Sequence, residues 1–269
     1  MKNNIYNKLL KVLSLIRHPQ IKLTFLNKLG NRKKCNVCGN SFNTFIPYSY
    51  GKISYLLSNM KIIGSDADNF SCPICCAHDR TRHIFLYFSK LNLWNKFKHQ
   101  SILHCSPEKH IYDKIKELKY EKYVIGDIDP DRYNFLKEIV KIDLTNIAFS
   151  NESFDIVIAN HVLEHIPEYK IAIKEIYRVL KKDGFAILQT PYSNLLKKTF
   201  FDESINTNEL RLNFYGEEDH YQIFGEDFFN VFSKIGFTID RKFHANLISE
   251  KETYIHGVNP KEDLFLFGK

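Results

Sequence analysis

The sequence predicts a doubly wound α/β fold, a mostly parallel sheet covered by helices on both faces, preceded by a small zinc-binding module. Three observations predict it. From about residue 100 onward, short apolar runs alternate with helical segments. Runs such as Ile156-Val157-Ile158-Ala159 are apolar on both faces, as central strands of a parallel sheet must be. Upstream stand two Cys-x-x-Cys pairs, separated by 33 residues.

At the N-terminus, Ile5, Leu9, Val12 or Leu13, and Ile16 recur at spacings of three or four, which predicts an amphipathic helix. His18-Pro19 breaks it, and Ile21, Phe25 and Leu29 suggest a second short helix closed by Gly30. This stretch, a helical arm over residues 1–34, is basic. Residues 1–65 hold eleven of the 38 Lys and Arg and none of the 31 Asp and Glu, so residues 66–269 carry 27 bases against 31 acids. The net charge of +7 therefore resides entirely in the first quarter of the chain. Such an arm suits an anionic membrane surface, a nucleic acid, or its own protein's apolar surface. Lys8, Lys11 and Arg17 interrupt the apolar core that a secretory signal needs, so a cytoplasmic protein is expected, with peripheral membrane contact through residues 1–30 as an option. Composition, with 44% apolar and 26% charged residues, excludes a disordered chain or a collagen. No run of about 18 uncharged apolar residues is present to span a bilayer.

A zinc-ribbon-like module is expected over residues 35–90. Cys35-Asn-Val-Cys38-Gly39 and Cys72-Pro-Ile-Cys75 are turns whose two-residue gaps aim both thiolates at one ion. Two such turns supply the four sulfurs of a structural zinc site, Cys35, Cys38, Cys72 and Cys75. The fourth position stays open between Cys75 and the nearby Cys76, His78 or His83. A disulfide is at odds with a reducing compartment, and a redox pair does not explain two copies. A hairpin or loop near residues 48–57 would join the turns. The site is closed, so its role is in folding.

The sheet module is expected over residues 98–269. Its elements are a strand at 101–105, a helix at 111–118, a strand at 122–125, a helical segment at 132–137, strands at 139–142 and 154–159, a helix at 168–182 and a strand at 185–190. In the last helix Pro167 suits the first turn, Ala172, Ile173, Ile176 and Leu180 form the buried stripe, and Lys181, Lys182 and Gly184 close it.

Ligands of such folds bind beyond the carboxyl ends of the strands. After the first strand, His104-Cys105-Ser106-Pro107-Glu108 offers a helix N-terminus able to hold a carboxylate or phosphate. Asp127 follows 21 residues after Ser106, where an acid hydrogen-bonds a ribose diol, and Asp143 takes the equivalent place after the third strand. Each Asp alone is equally a turn or cap residue. The turn lacks the glycines that let a pyrophosphate approach, which favours a smaller nucleoside ligand with an amino-acid tail.

Ile102 to Glu108, Tyr123 to Asp127, Asp143-Leu144, Ser153 to His165 and Tyr177 to Pro191, in this order, resemble class I S-adenosylmethionine-dependent methyltransferases. They are most similar to a bacterial subgroup whose first motif reads Leu-His-x-x-Pro-Glu; Glu217-Glu218-Asp219-His220 and Gly236-Phe237 resemble it too. The resemblance implies a Rossmann-like seven-stranded sheet and S-adenosyl-L-methionine as cofactor. It places His104, Ser106 and Glu108 at the methionine part, Glu108 on its ammonium, Asp127 at the ribose, Asp143 at the adenine and Asn160 beside the methyl group.

Methyl transfer is an in-line displacement, for which an enzyme aligns the acceptor and removes its proton. His161 and His220 are candidate bases, with Asp219 orienting His220; His161 is equally a helix-start residue. The 194–221 insertion, mixing aromatic and acidic residues, suits a small-molecule or glycan acceptor such as a sugar hydroxyl, or is a packed excursion. Two other readings compete. His161-Val-Leu-Glu164-His165 spells the HxxEH of an inverted zinc protease, which requires both His on one helix. A zinc ribbon with a basic arm suits an RNA-binding protein whose transferase domain is inactive.

Overall fold

The computed structural model describes residues 30–48, 59–133 and 136–269. The helices expected within residues 1–29, most of the 48–57 loop and the middle of the 132–137 segment lie outside the described residues.

Strands β1 (Lys33–Lys34) and β2 (Ser41–Phe42) form an antiparallel hairpin, followed by helices α1 (Asp79–Lys90) and α2 (Leu93–Lys96). The large sheet then begins with β3 (Ser101–Cys105), α3 (Lys109–Lys116), β4 (Lys122–Asp127), β5 (Val140–Lys141), β6 (Phe154–Ile158), α4 (Tyr169–Val179) and β7 (Leu180–Ile187). It is completed by α5 (Asn208–Tyr215), α6 (Asp227–Ile235), β8 (Thr238–Lys242), α7 (His244–Leu247), α8 (Glu250–His256) and β9 (Leu264–Gly268). The strand order is β5-β4-β3-β6-β7-β9-β8, and β9 alone runs against its neighbours. The expected mostly parallel seven-stranded sheet is therefore present. The chain winds outward from β3 to β5, then returns to β6 on the other side, so the order reverses between β3 and β6.

Alternate residues of the central strands serve opposite cores. Leu103, Val157, Ala186 and Phe267 join Ile173 and Ile176 of α4 and Phe228 and Phe232 of α6. Ile102, Ile156, Ile158 and Leu266 face the other way, onto Ile84 and Phe88 of α1 and Ile111 and Ile115 of α3. A strand between two helical layers has no face for water, which is why these runs are apolar throughout. Among the described residues no helix is long and apolar enough to cross a membrane.

Several expected bounds shift: the helix expected at 111–118 is α3 (Lys109–Lys116), the strand expected at 139–142 is β5 (Val140–Lys141), and the strand expected at 185–190 is β7 (Leu180–Ile187). Helix α4 ends at Val179, three residues early, because the fully buried Leu180 turns extended (ψ 136°) and pairs with Phe154. Lys181 then bonds Asp155 at 2.8 Å instead of capping the helix. Gly184 lies so near the Asp155 carbonyl that a Cβ would meet it at 2.8 Å, so it serves the sheet and not a helix terminus. The segment expected as a helix at 132–137 shows, in its described part, only the end of a single 3-10 turn, Pro130–Arg132.

Candidate active site and cysteine cluster

The crevice opens where the strand order reverses. Ser106, directly after β3, adopts φ 49°, a left-handed conformation that favours glycine. The glycine-less turn thus keeps a glycine-like bend. The Ser106 hydroxyl donates to Asp127 Oδ2 at 2.6 Å, and the Tyr133 hydroxyl donates to the same oxygen at 2.8 Å. Asp127 is buried at the carboxyl end of β4, and its Oδ1 accepts from the Asp129 amide. Gly126 precedes it because a Cβ there would strike the Ile142 side chain at 2.3 Å.

Glu108 spans the switch point. Its Oε1 accepts from Asn160 Nδ2 at 3.1 Å, and its Oε2 accepts from His104 Nε2 at 2.8 Å. Burial pushes the Glu108 carboxyl up, but the His104 contact and the Asn160 amide outweigh it and hold the group below its ordinary value. His104 is fully buried, with its other nitrogen 2.8 Å from the Tyr123 hydroxyl. Both its ring nitrogens are engaged, one on Glu108 and one on Tyr123. Asp143 is exposed, and its Oδ1 accepts from the Thr145 amide and hydroxyl, the bonds of a local turn.

At the end of β6 a second polar group assembles. His161 has φ 55°, and both its ring nitrogens are buried without a hydrogen-bond partner, the nearest approach being Nδ1 to Glu164 Oε1 at 3.5 Å. Glu164 is buried and accepts the Thr190 hydroxyl at 2.8 Å. Its burial raises the pKa, yet His161, His165 and His220 overcompensate and bring it to about 2. His165 Nδ1 lies 3.2 Å from Asp219 Oδ1, while His220 Nδ1 lies 3.2 Å from the Tyr215 carbonyl. Asp219, expected beside His220, therefore orients His165 instead. Residues 163–165 form a 3-10 turn, so no helix carries both His161 and His165, and the HxxEH geometry is absent.

The cysteines form a separate cluster. The Sγ atoms of Cys35, Cys38, Cys72 and Cys75 all lie within 4.8 Å of one another, with Cys35–Cys75 at 3.8 Å and Cys38–Cys72 at 3.9 Å. A tetrahedron with Zn–S bonds of about 2.3 Å has edges of about 3.8 Å, so the donor set fits zinc. The two turns are copies of each other. Cys35 N bonds Asn40 O as Cys72 N bonds Ala77 O, and Gly39 N bonds Cys35 O as Cys76 N bonds Cys72 O. Cys76 (φ 61°) thus occupies the place of Gly39 (φ 75°), which explains why it is exposed and outside the cluster. His78 lies against the Phe70 ring, and His83 is buried against His244 and Glu262, so neither competes for the fourth position.

Residues 115–188, the segment from α3 through β7, match the family described as "Methyltransferase domain". This segment is similar to a methyltransferase domain. Curated relatives are arsenite methyltransferases. That of Homo sapiens is 30% identical over 135 residues, covering 48% of this chain and 34% of that protein. That of Mus musculus is 29% identical over 115 residues, covering 43% of this chain and 29% of that protein. The chain spans about a third of the length of these relatives. Among solved structures, a methyltransferase from Archaeoglobus fulgidus is similar at a TM-score of 0.47 and 17% identity, covering 68% of this chain and 93% of that one. One from Mesorhizobium loti has a TM-score of 0.48 and 11% identity, covering 68% and 98%.

Ser106, Glu108, Asp127 and Asn160 converge on the switch point, with His161 adjoining just past the end of β6. Sequence reasoning missed Tyr133 and Thr190, whose hydroxyls join Asp127 and Glu164 from separate turns. It noticed Glu164 and His165 as parts of a motif stretch and of a protease signature, without a site role in the crevice. Burial pushes the Cys105 thiol up to about 12, so this cysteine of β3 packs as a protonated group. A depression of about 410 Å³ lined by Pro167, Tyr169, Thr199, Phe201, Gln222 and Asp227 holds none of the expected site residues.

Proposed function

We propose that the crevice binds S-adenosylmethionine and that the domain transfers its methyl group to a small acceptor held near the ends of β6 and β7. The observation that carries this reading is Asp127, a buried carboxylate beside the switch point that accepts two hydroxyl hydrogens on one oxygen. A carboxylate so placed suits the vicinal hydroxyls of a ribose. When bound, S-adenosylmethionine supplies an electrophilic methyl on a sulfonium. Asp127 holds the ribose in exchange for Ser106 and Tyr133. Glu108, kept ionised by His104 and Asn160, faces the ammonium of the amino-acid tail. Asp143, two residues past β5, is assigned to the adenine side.

His161 takes the acceptor's proton, its Nδ1 standing 3.5 Å from the Glu164 carboxylate that would stabilise the imidazolium. With that proton removed, the acceptor oxygen would present a free electron pair toward the methyl that the cofactor would supply. His220 and Asp219 border the acceptor from the insertion. A sugar hydroxyl or another small polar group suits this setting, and the relatives' name adds arsenite as a second small acceptor to assay.

The four cysteines hold a structural zinc. Thiolates are its preferred ligands, and the cluster leaves no protein position open for substrate.

Transfer of labelled methyl from S-adenosylmethionine, assayed on sugars, arsenite and RNA, tests the reading. Label in a small-molecule fraction, lost with Asp127→Ala, supports it. Label confined to RNA overturns the small acceptor, and no label in any fraction with cofactor bound overturns the activity.

A further inference from the structure

We propose that Glu164, His165 and His220 form a second metal site, for a divalent transition ion of the zinc class, at the carboxyl ends of β6 and β7. Each of these residues presents one ligand atom within 4.8 Å of the other two. Two imidazoles and one carboxylate are a donor set for zinc and its first-row neighbours, and three protein ligands leave a coordination position open.

The surroundings prepare the ligands. An imidazole binds a metal through one nitrogen while the other donates a hydrogen bond that fixes its tautomer. His165 has its Nδ1 on Asp219 Oδ1 at 3.2 Å, and His220 has its Nδ1 on the Tyr215 carbonyl at 3.2 Å. Both rings therefore keep Nε2 with a free lone pair. The rings meet edge to face, with centroids 4.7 Å apart. Glu164 has its Oε2 fixed by Thr190, and its Oε1, whose ion-pair neighbour is His161 Nδ1 at 3.5 Å, is the oxygen offered to a cation. The Tyr221 amide bonds the Glu164 carbonyl at 2.9 Å, and Gln222 Nε2 bonds the Leu163 and Ile166 carbonyls, pinning His220 above the turn. Glu164 and His165 belong to a 3-10 turn and His220 to the 194–221 insertion, so the ion would tie that insertion to the sheet. His165 is about a third exposed, which gives the ion an entry path.

The site stands independently of methyl transfer; only its use depends on that reading. There the open position would coordinate the acceptor's oxygen and acidify it beside His161. This makes His220 a ligand and leaves His161 as the base.

The test is a cobalt(II) and zinc titration of the full chain, with bound metal counted by elemental analysis. Two ions per chain are expected. One gives the intense thiolate-to-cobalt absorption of the cysteine cluster, and the second only weak ligand-field bands. His165→Ala and His220→Ala should each bind one ion, with the thiolate band and far-UV circular dichroism retained. Asp219→Asn should bind two with the second weakened roughly 10–100-fold. A wild-type chain that saturates with the thiolate band alone overturns the site, whatever the variants do. So does a folded His220→Ala that still binds two. S-adenosylhomocysteine calorimetry on the same sample separates the two claims: a second ion without nucleoside binding keeps this site and removes the methyl-transfer reading, and nucleoside binding without a second ion does the reverse.

Discussion

Glu108 and Asn160 are joined by a 3.1 Å hydrogen bond that crosses from the turn after β3 to the end of β6, the place where the strand order reverses. The bond fixes one oxygen of a carboxylate whose other oxygen is fixed by His104. A charge is thus held at the mouth of the crevice by groups that approach from within the fold.

Neutralising that charge separates binding from folding. In Glu108→Gln the amide presents a donor where His104 or Asn160 also donates. A hydrogen bond to a charged group contributes about 1.5–3 kcal/mol, so affinity for S-adenosylhomocysteine should fall roughly 10- to 100-fold. Calorimetry checks it, with the far-UV spectrum unchanged. Unaltered affinity would remove Glu108 from the nucleoside site.

The cysteine turns make a paired prediction. Cys75→Ser should lose the zinc, while Cys76→Gly should retain it with stability changed by no more than about 1 kcal/mol, because glycine adopts a φ of 61° without strain. Metal analysis with thermal melting decides. A zinc-free Cys76→Gly protein would contradict the assignment of the fourth sulfur.

Arg82 ties the segment around the second cysteine turn to the end of α8. Fully buried, it donates to the carbonyls of Phe70, Ala77, Asn69, His256 and Gly257. Arg82→Met strips these carbonyls of a partner and should cost roughly 3 kcal/mol or more. Urea unfolding measures it, and a loss below about 1 kcal/mol would show that water replaces the guanidinium.

Acid should weaken the fold in two stages. Burial and neighbouring His83 lower His244 from 6.5 to about 4, although Asp263 and Glu262 pull the other way. Glu164 is lowered from 4.5 to about 2. In both intervals the unfolded chain binds more protons, so stability rises with pH there. The His244 contribution is lost between about pH 6.5 and 4, and that of Glu164 as pH falls from about 4.5 through 2. Denaturant midpoints from pH 8 to 2 should show both losses, and His244→Gln should flatten the upper one. An upper limb unchanged by that variant would contradict the assignment.

Much of this was legible in the sequence. Strands apolar on both faces require two helical layers, and the placement of Asp127 after its strand follows from the spacing. The end of α4 was not legible, since Leu180 fits a helical stripe and a strand pair equally well, and only its pairing with Phe154 decides. The fourth sulfur was in principle legible: aligning Cys35-Asn-Val-Cys38-Gly39 with Cys72-Pro-Ile-Cys75-Cys76 puts Cys76 on a glycine position. The partner of Asp219 was not, because His165 and His220 are brought together by the fold of an insertion with no periodic signal.

The central claim, a nucleoside-binding crevice at the switch between β3 and β6, is tested most directly by calorimetric titration of S-adenosylhomocysteine into the wild-type chain and Asp127→Ala. The account predicts one saturable site in the wild type and loss of binding in the variant, with both proteins melting as folded chains. Absence of heat in the wild type at millimolar ligand, or equal affinity in the two proteins, would contradict it.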